Sequence, residues 1–191
     1  MKKIFAIVNP VSANGSTGRQ WPNLEKILRI SGIDLDYVLT DAVELTRIAL
    51  KGGCEIIVSV GGDGTMNEVV NGFFEGGRLI NENAALAVFS RGTGCDAIKT
   101  MGIKNDVDSI IAVLKDMKSE AYDVGKVDFI EYGGKKSQRY FLNVSDVGIG
   151  GETTFRVNRN SKALKGFLSF MLGALSTIIV YKNKCFEISI D

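Results

Sequence analysis

The most informative absence in this 191-residue sequence is histidine, of which there is none. Without histidine the chain can hold no Ser-His-Asp triad, no imidazole metal ligand and no imidazole general base, so acid–base chemistry falls to carboxylates. An excess of charge of either sign is also lacking. With 23 Lys and Arg residues against 22 Asp and Glu residues, the net charge of +1 excludes a general attraction to nucleic acid.

Cysteine is scarce, and long apolar runs are missing. Cys54, Cys95 and Cys185 are an odd number without metal-site spacing, which favours a reducing, cytoplasmic compartment. The apolar run at residues 4–8 is too short for a secretory signal and predicts a buried strand. The apolar segment 166–181 is shorter than the about 20 residues that cross a bilayer. It predicts a core helix, with a helix lying on a membrane surface as the alternative.

Strand and helix patterns alternate along the first 120 residues. Short apolar runs predict strands at 4–8, 35–39, 55–60 and 85–90. Apolar residues at helical spacing predict helices near 21–30, 42–51, 66–75 and 96–101, and another that opens at Asp106 or Asp108. The last of these would bury Ile110, Ile111, Val113 and Leu114. The repetition predicts a doubly wound α/β domain with a mostly parallel sheet, whose ligands bind at the carboxyl ends of the strands.

The pattern changes near residue 120. Two longer strands at 122–132 and 138–147, joined by a Gly-Gly-Lys-Lys loop, predict an antiparallel hairpin. We therefore expect an α/β domain over residues 1–120 and the start of an incomplete antiparallel β-sandwich over 121–191. Alternating Phe186, Ile188 and Ile190 predict a further strand, which would leave an open sheet edge.

Residues 61–72, GGDGTMNEVVNG, form the most informative segment because they join a predicted strand to a predicted helix. Glycines let backbone N–H groups approach phosphate oxygens, and the helix N-terminus after Thr65 adds a positive dipole end. Asp63 places a carboxylate where Mg²⁺ bound to phosphates needs oxygen ligands. The alternative is a tight turn with a capping Asp or Thr. The whole segment favours phosphate binding.

Two further glycine-containing loops leave predicted strand ends at the same edge of the sheet. Residues 9–12, followed by Gly15 and Gly18, could wrap a nucleotide, although the Gly-Lys-Ser/Thr of a P-loop is missing. Residues 91–96 offer a hydroxyl, two glycines and Asp96, which is also a candidate helix cap. Three loops on one edge favour a nucleotide site there.

The sequence resembles the diacylglycerol kinase and sphingosine kinase-like lipid kinases, including their bacterial members, over almost its whole length. Residues 61–72 are similar to the family signature, 9–12 to its first nucleotide loop and 91–96 to its Gly-Thr-x-Asn-Asp loop. Residues 123–126 resemble the segment that crosses into the second domain. The resemblance implies an α/β nucleotide domain followed by a β-sandwich that holds the lipid.

The resemblance also implies a set of site residues. Asp63 would be catalytic, either as an organiser of Mg²⁺ or as the base that takes the acceptor's proton. Asp63, Asp96 and Asp123 would together organise Mg²⁺ through water. Arg19 would steer a lipid headgroup phosphate, or else be an exposed residue at a helix start. The residues implied in ATP binding are Asn9, Pro10, Val11, Ser12, Thr40, Gly61, Gly62, Asp63, Gly64, Thr65, Met66, Asn67, Glu68, Gly92 and Thr93.

The sequence departs from the family in two respects. Cys95 stands where the family usually has Asn, which puts a polar contact in doubt and makes Cys95 a candidate packing residue. Family members also run beyond residue 191, into a part that completes the sandwich and carries an acidic residue often taken as the general base. The chain is therefore expected to be a fragment or a truncated product.

The leading expectation is transfer of the γ-phosphoryl group of ATP to a hydroxyl of a lipid such as diacylglycerol, with Mg²⁺ as cofactor. The enzyme would act at the inner membrane face. The alternatives are an NAD kinase-like small-molecule kinase, which shares the GGDG loop, and a non-catalytic ATP-binding fragment. The extended segment after Thr65 and the Asn-Pro loop favour the lipid kinase. Open sheet edges invite pairing with a second copy, so a homodimer is a further expectation.

Overall fold

The computed structural model describes residues 2–39, 42–92, 94–131, 133–160, 167–183, 185 and 187. The chain divides into two compact units, residues 1–143 and 144–191. The first unit holds the α/β layers and the hairpin. The domain boundary expected near residue 120 stays a prediction, because a division into compact units is not a division into nucleotide-binding and lipid-binding domains.

The first unit opens with alternating strands and helices. Their bounds are β1 Ile4–Val8, α1 Ser16–Ile30, β2 Asp36–Leu39, α2 Ala42–Lys51, β3 Ile56–Gly61, α3 Asp63–Gly72, β4 Phe74–Glu75, β5 Arg78–Leu79, β6 Ala85–Ser90, α4 Asp96–Thr100 and α5 Val107–Asp116. The antiparallel pair β7 Gly125–Ile130 and β8 Lys136–Phe141 follows. The four main strands and the hairpin are those that the sequence predicts, although the hairpin strands are shorter.

The four main strands form one parallel sheet in the order β2-β1-β3-β6. The chain runs outward from β1 to β2, crosses back to β3 and continues to β6, so its winding reverses between β1 and β3. In open parallel sheets, ligands bind in the crevice outside the strand carboxyl ends at such a reversal. The predicted doubly wound α/β fold is confirmed, and the loops after β1 and β3 flank its crevice.

Two apolar layers cover the faces of the sheet, because successive side chains of a strand point to opposite faces. On one face the even-numbered residues of β1 and β3 pack against α1 and α5, with Trp21 and Leu114 among the buried partners. On the other face Ile7 and Ile57 pack with Val69 of α3. Burial on both faces holds the strand ends, and the loops that follow them, in fixed positions.

Two helices begin earlier than the apolar spacing predicts. α3 begins at Asp63 instead of Met66, because Gly62 is extended and its carbonyl already accepts the N–H of Met66. α1 begins at Ser16, directly after Gly15 in the left-handed conformation. Apolar spacing detects the residues that a helix buries, whereas these first turns consist mainly of polar residues and glycines. α3 also ends earlier than predicted, and the small β4–β5 hairpin follows it.

The second unit contains α6 Ile149–Asn160 and α7 Phe167–Val180. α7 confirms the helix predicted at 166–181, and its residues Leu175 and Ile178 are exposed. Across the described ranges, no helix combines the length and the apolar character that crossing a bilayer requires. The strand predicted near residue 190 falls on residues outside those that the structure describes.

Neighbouring residues of α5 provide a matched test of the core. Leu114 is 1% exposed, whereas Val113, which the sequence predicted to be buried, is 46% exposed. We expect Leu114→Ala to lower the free energy of unfolding by about 2–5 kcal/mol, because it leaves a cavity. Val113→Ala should change it by less than about 0.5 kcal/mol. Urea denaturation measures both values, and equal losses would contradict the described packing of α5.

Candidate functional site

Three loops meet at the carboxyl edge of the sheet. They follow β1, β3 and β6, and backbone hydrogen bonds join them to the middle strand, β3. The N–H of Asn9 donates to the carbonyl of Val60 at 2.9 Å, and the N–H of Arg91 donates to the carbonyl of Gly61 at 2.6 Å. The structure thus brings together the three loops that the sequence placed on one edge.

Asn9, Gly61 and Thr65 form a compact unit, here named the Thr65 lock. Thr65 is only 5% exposed, and Asn9 Nδ2 donates to its Oγ1 at 2.9 Å. A β-carbon on Gly61 would lie 2.4 Å from the same Oγ1, closer than non-bonded atoms can approach. Only glycine at position 61 therefore leaves room for the Thr65 side chain, which joins the loop after β1 to the first turn of α3.

The loops after β3 and β6 touch each other through glycines. A β-carbon on Gly92 would lie 2.8 Å from the Cα atom of Gly62. The two backbones thus approach to a distance that excludes a side chain between them. This contact fixes the loop after β6 against the entry to α3.

The N-terminus of α3 is suited to binding an anion. Gly62 occupies the position before the helix and provides no side-chain cap. The first-turn N–H groups of a helix have no partner within it, and the helix dipole adds partial positive charge. Gly64 is exposed, with no atom within 4 Å of the place where its β-carbon would stand. An anion could therefore reach this first turn.

Asp63 and Asp96 lie close together beside Gly94. A β-carbon on Gly94 would lie 3.4 Å from Oδ2 of Asp63 and 3.0 Å from Oδ2 of Asp96. Asp63 Oδ1 accepts the N–H of Ala97 at 3.3 Å, and Asp96 pairs with the Lys99 ammonium group at 3.2 Å. Two carboxylates that approach one point provide the oxygen ligands that Mg²⁺ prefers.

Asp123, the third predicted carboxylate, does not complete a cluster with the other two. Its side chain is exposed. Within the described part of the chain, no three His, Cys, Asp or Glu side chains are grouped so that they could hold a metal ion. The structure thus assembles two of the three carboxylates, and binding of Mg²⁺ through water stays a prediction.

The loop after β1 is held mainly by its own side chains. Asn9 Oδ1 accepts the N–H of Val11 at 3.1 Å, and the Ser12 hydroxyl donates to the Asn9 carbonyl at 2.9 Å. Pro10 packs directly on Gly18, because a β-carbon on Gly18 would lie 2.9 Å from the Cβ atom of Pro10. Val11 is 75% exposed. The loop is therefore preformed, and Val11 is the predicted nucleotide contact that it leaves most open.

The predicted contacts further along α3 have different surroundings. Met66 is buried, and its side chain packs inside the protein. Asn67 Nδ2 donates to the carbonyl of Tyr140 in β8 at 3.0 Å, and Glu68 is exposed. Thr40 and Thr93, also predicted contacts, lie outside the described residues. The predicted set therefore combines residues at the crevice with residues that support it.

Two asparagines to which the sequence assigned no role hold the surrounding backbone. Asn105 accepts the N–H of Ser90 at 2.9 Å and donates to its carbonyl at 2.8 Å. Asn71 accepts the N–H of Tyr140 at 3.0 Å and donates to its carbonyl at 2.9 Å. A side-chain amide can replace a neighbouring strand in this way because it carries an acceptor and a donor side by side. Asn71 belongs to the 61–72 segment, whereas no local pattern marks Asn105.

Cys95 has a polar role within the loop after β6. Its φ of 53° lies in the left-handed region, which glycine and asparagine adopt more easily than cysteine. Its Sγ accepts a hydrogen bond from the Ser90 hydroxyl at 3.0 Å and donates to the Gly92 carbonyl at 3.2 Å. The thiol therefore stabilises the loop and does not serve as packing alone.

A cavity of about 270 Å³ lies beside the strand ends, on the α1 and α5 face of the sheet. Val60, Phe89 and Trp21 line its apolar part, and Arg19 and Arg91 line it as well. The Arg91 guanidinium carbon lies 5.5 Å from the Phe89 ring centroid, a cation–π distance. Arg19 thus borders a cavity, and its contact with a headgroup phosphate stays a prediction.

A parallel sheet whose winding reverses beside an uncapped helix N-terminus defines an α/β protein with a candidate anion site at its strand ends. Comparison with known proteins identifies the family. The profile of the diacylglycerol kinase catalytic domain matches residues 3–127, which is more than half of the chain. The chain therefore belongs to the diacylglycerol kinase catalytic domain family, and the resemblance found in its sequence is confirmed.

Relatives support this assignment at low identity. A probable YegS-like lipid kinase of Klebsiella pneumoniae (strain 342) is 28% identical, over 94% of this chain and 57% of the relative. A diacylglycerol kinase of Staphylococcus haemolyticus (strain JCSC1435) is 27% identical, over 98% of this chain and 57% of the relative. A crystal structure of a diacylglycerol kinase from Bacillus anthracis str. Sterne matches with a TM-score of 0.50 and 23% identity, over 81% of this chain and 52% of that one, and supports the fold alone. The chain spans 57% of the length of each of these two curated relatives.

Two alanine substitutions test the Thr65 lock. Gly61→Ala should lower the free energy of unfolding by about 1–3 kcal/mol, because the new methyl group overlaps the Thr65 side chain. Gly64→Ala makes the same change in open space, within a helix, where alanine is favoured over glycine by about 1 kcal/mol. Its stability should equal or exceed that of the wild type. Urea denaturation compares the three proteins, and a Gly61→Ala protein as stable as the wild type would contradict the lock.

Proposed function

We propose that this chain is the nucleotide-binding part of an ATP-dependent lipid kinase. The enzyme would transfer the γ-phosphoryl group of ATP to a hydroxyl of a lipid such as diacylglycerol. The observation that carries the proposal is the uncapped first turn of α3, which lies at the reversal of winding with Asp63 and Asp96 beside it. Family membership supports the class of reaction, and the names of the relatives support the class of acceptor.

The first turn of α3 would bind the phosphates of ATP. Its N–H groups, those of Gly64 and Thr65 among them, donate to phosphate oxygens, and the helix dipole favours their negative charge. The Thr65 lock fixes these donors before the nucleotide arrives, since Thr65 is packed on Gly61 and bonded to Asn9. Phosphoryl transfer depends mainly on positioning and on charge neutralisation, and preformed donors serve both.

Asp63 and Asp96 would hold Mg²⁺ through water at the point beside Gly94. Bound there, the ion would neutralise charge on the transferred phosphoryl group. Asp63 is also the candidate for accepting the proton of the attacking hydroxyl, because the chain has no histidine and a carboxylate can serve as a base. The hydrogen bond from Ala97 orients this carboxylate between the starts of α3 and α4.

Each unit offers a surface that suits contact with a lipid or with its membrane. Arg19 and Arg91, which line the cavity near the strand ends, suit the anionic headgroup of a phospholipid in the membrane that holds the uncharged acceptor. The exposed apolar residues of α7, such as Leu175 and Ile178, suit a peripheral contact with a membrane surface. We therefore propose that the protein acts on its lipid at the membrane surface.

A second candidate function is ATP binding without phosphoryl transfer. One observation favours it: the described residues bring together two of the three predicted carboxylates. The two functions share the same nucleotide site. They differ in whether a lipid is phosphorylated by the chain as it stands.

Calorimetry with Asp63→Asn tests the nucleotide site. We expect the wild type to bind ATP at least about tenfold more tightly with Mg²⁺ than without it, and Asp63→Asn to lose that advantage. Asp108→Asn is the matched control, because Asp108 is likewise an acidic residue in the first turn of a helix, α5, and the carboxylates nearest the point beside Gly94 are those of Asp63 and Asp96. Equal dependence on Mg²⁺ in all three proteins would refute the assigned role of Asp63.

Phosphoryl transfer from radiolabelled ATP distinguishes the acceptors. We expect label in diacylglycerol presented in mixed micelles and none in NAD offered in parallel. Asp63→Asn should reduce that transfer by at least about 10²-fold, because it removes a carboxylate from the reacting phosphates. ATP binding without label in either acceptor would favour the second candidate function, and label in NAD alone would refute the lipid kinase.

A further inference from the structure

Asn67 and Asn71 of α3 hold the main chain of a single residue in β8, and we name this pair the amide clamp. The carbonyl of Tyr140 accepts Nδ2 of Asn67 at 3.0 Å and Nδ2 of Asn71 at 2.9 Å. The N–H of Tyr140 donates to Oδ1 of Asn71 at 3.0 Å. Asn71 also donates to the Asn67 carbonyl at 2.8 Å and is 6% exposed. Its amide is therefore buried with its donor and its acceptor both used.

Tyr140 is the anchor of the hairpin. It is the one buried residue in β7 and β8, two strands that the structure describes in full. Its ring stacks on Phe74, which follows α3, with centroids 3.8 Å apart and an interplanar angle of 12°. The clamp and this stacked pair therefore attach the hairpin to α3 and to the residues directly after it.

The clamp holds the hairpin at the end where β7 begins and β8 ends, and in sequence this end follows directly after Asp123. Tyr140 pairs with Lys126 across the hairpin, and Asp123 lies three residues before Lys126. On the helix, Asn67 lies one turn after Asp63. α3 thus connects the proposed phosphate-binding turn directly to the strand pair that the Asp123 segment enters.

We propose that Asn67 and Asn71 are positioning residues, which hold the 123–126 segment against α3 so that phosphate binding and docking of the hairpin stabilise each other. The inference rests on the proposed function, because it requires ATP at the first turn of α3. The first turn, bonded to Asn9 and Ala97, and the later turns, bonded to Tyr140, belong to one ten-residue helix. A ligand that orders the first turn then lowers the entropic cost of holding the clamp, and thermodynamic linkage makes the effect reciprocal.

Hydrogen exchange of the full chain, with and without ATP, is the direct test. We expect saturating ATP to slow exchange of the β8 amides, including Tyr140, by about fivefold or more. In Asn71→Leu, which removes the acceptor of the clamp and one of its two donors, ATP should leave β8 exchange unchanged. The same variant should bind ATP more weakly than the wild type. The factor by which its affinity falls should be about the factor by which ATP slows β8 exchange in the wild type. The wild-type measurement stands by itself should the variant fail to fold.

Asn81→Leu is the matched control. Asn81 also forms hydrogen bonds with backbone groups: its Nδ2 donates to the carbonyl of Cys54 at 3.2 Å, and its Oδ1 accepts the N–H of Asn83 at 3.0 Å. Cys54 lies just before β3, at the end of that strand opposite to α3. It should lower stability while leaving ATP affinity and the ATP effect on β8 as in the wild type. If Asn71→Leu behaves like this control, the clamp only supports the fold and the inference is wrong.

The outcomes also separate this inference from the function on which it rests. ATP that binds the wild type without slowing exchange in β8 would overturn the clamp's positioning role and leave the nucleotide site intact. A wild-type chain that fails to bind ATP would overturn the proposed function, and the positioning role would fall with it.

Discussion

The site depends on the space left by the missing side chain of Gly61. Thr65 fills that space, and Asn9 bonds its hydroxyl at 2.9 Å, so two loops and the first turn of α3 have one arrangement relative to one another. A missing side chain also fixes the loop after β6, because the backbone of Gly92 packs directly against the Cα atom of Gly62. A larger residue at either contact would move the backbone N–H groups that make the crevice attractive to an anion.

The helix that begins at this lock links the parts of the first unit. Its first turn carries Asp63, which reaches the N–H of Ala97 in α4, and its later turns carry the amide clamp on Tyr140. α3 therefore contacts the loop after β6 at one end and the hairpin at the other. The parallel sheet fixes where α3 begins, since β3 is buried along its whole length. The packing that stabilises the sheet therefore also positions the site.

Much of this arrangement could be predicted from local patterns. Apolar periodicity revealed the four parallel strands and the hairpin, and residues 61–72 identified both the edge of the sheet and the family. Local patterns failed where a partner lies far away in sequence. The role of Asn71 requires Tyr140, the role of Asn105 requires Ser90, and the exposure of Val113 depends on which side of α5 meets the sheet. The start of α3 was placed late because its first turn contains glycine and polar residues that no apolar spacing records.

We propose that the phosphates of ATP bind at the N-terminus of α3. Nuclear magnetic resonance of the ¹⁵N-labelled chain, titrated with Mg·ATP, tests it most directly through the backbone amides. We expect Gly64 and Thr65 to show the largest saturable shifts, accompanied by smaller ones in the loop after β1. Shifts that are largest at the cavity beside Arg19 and Arg91, with the α3 amides unmoved, would contradict it.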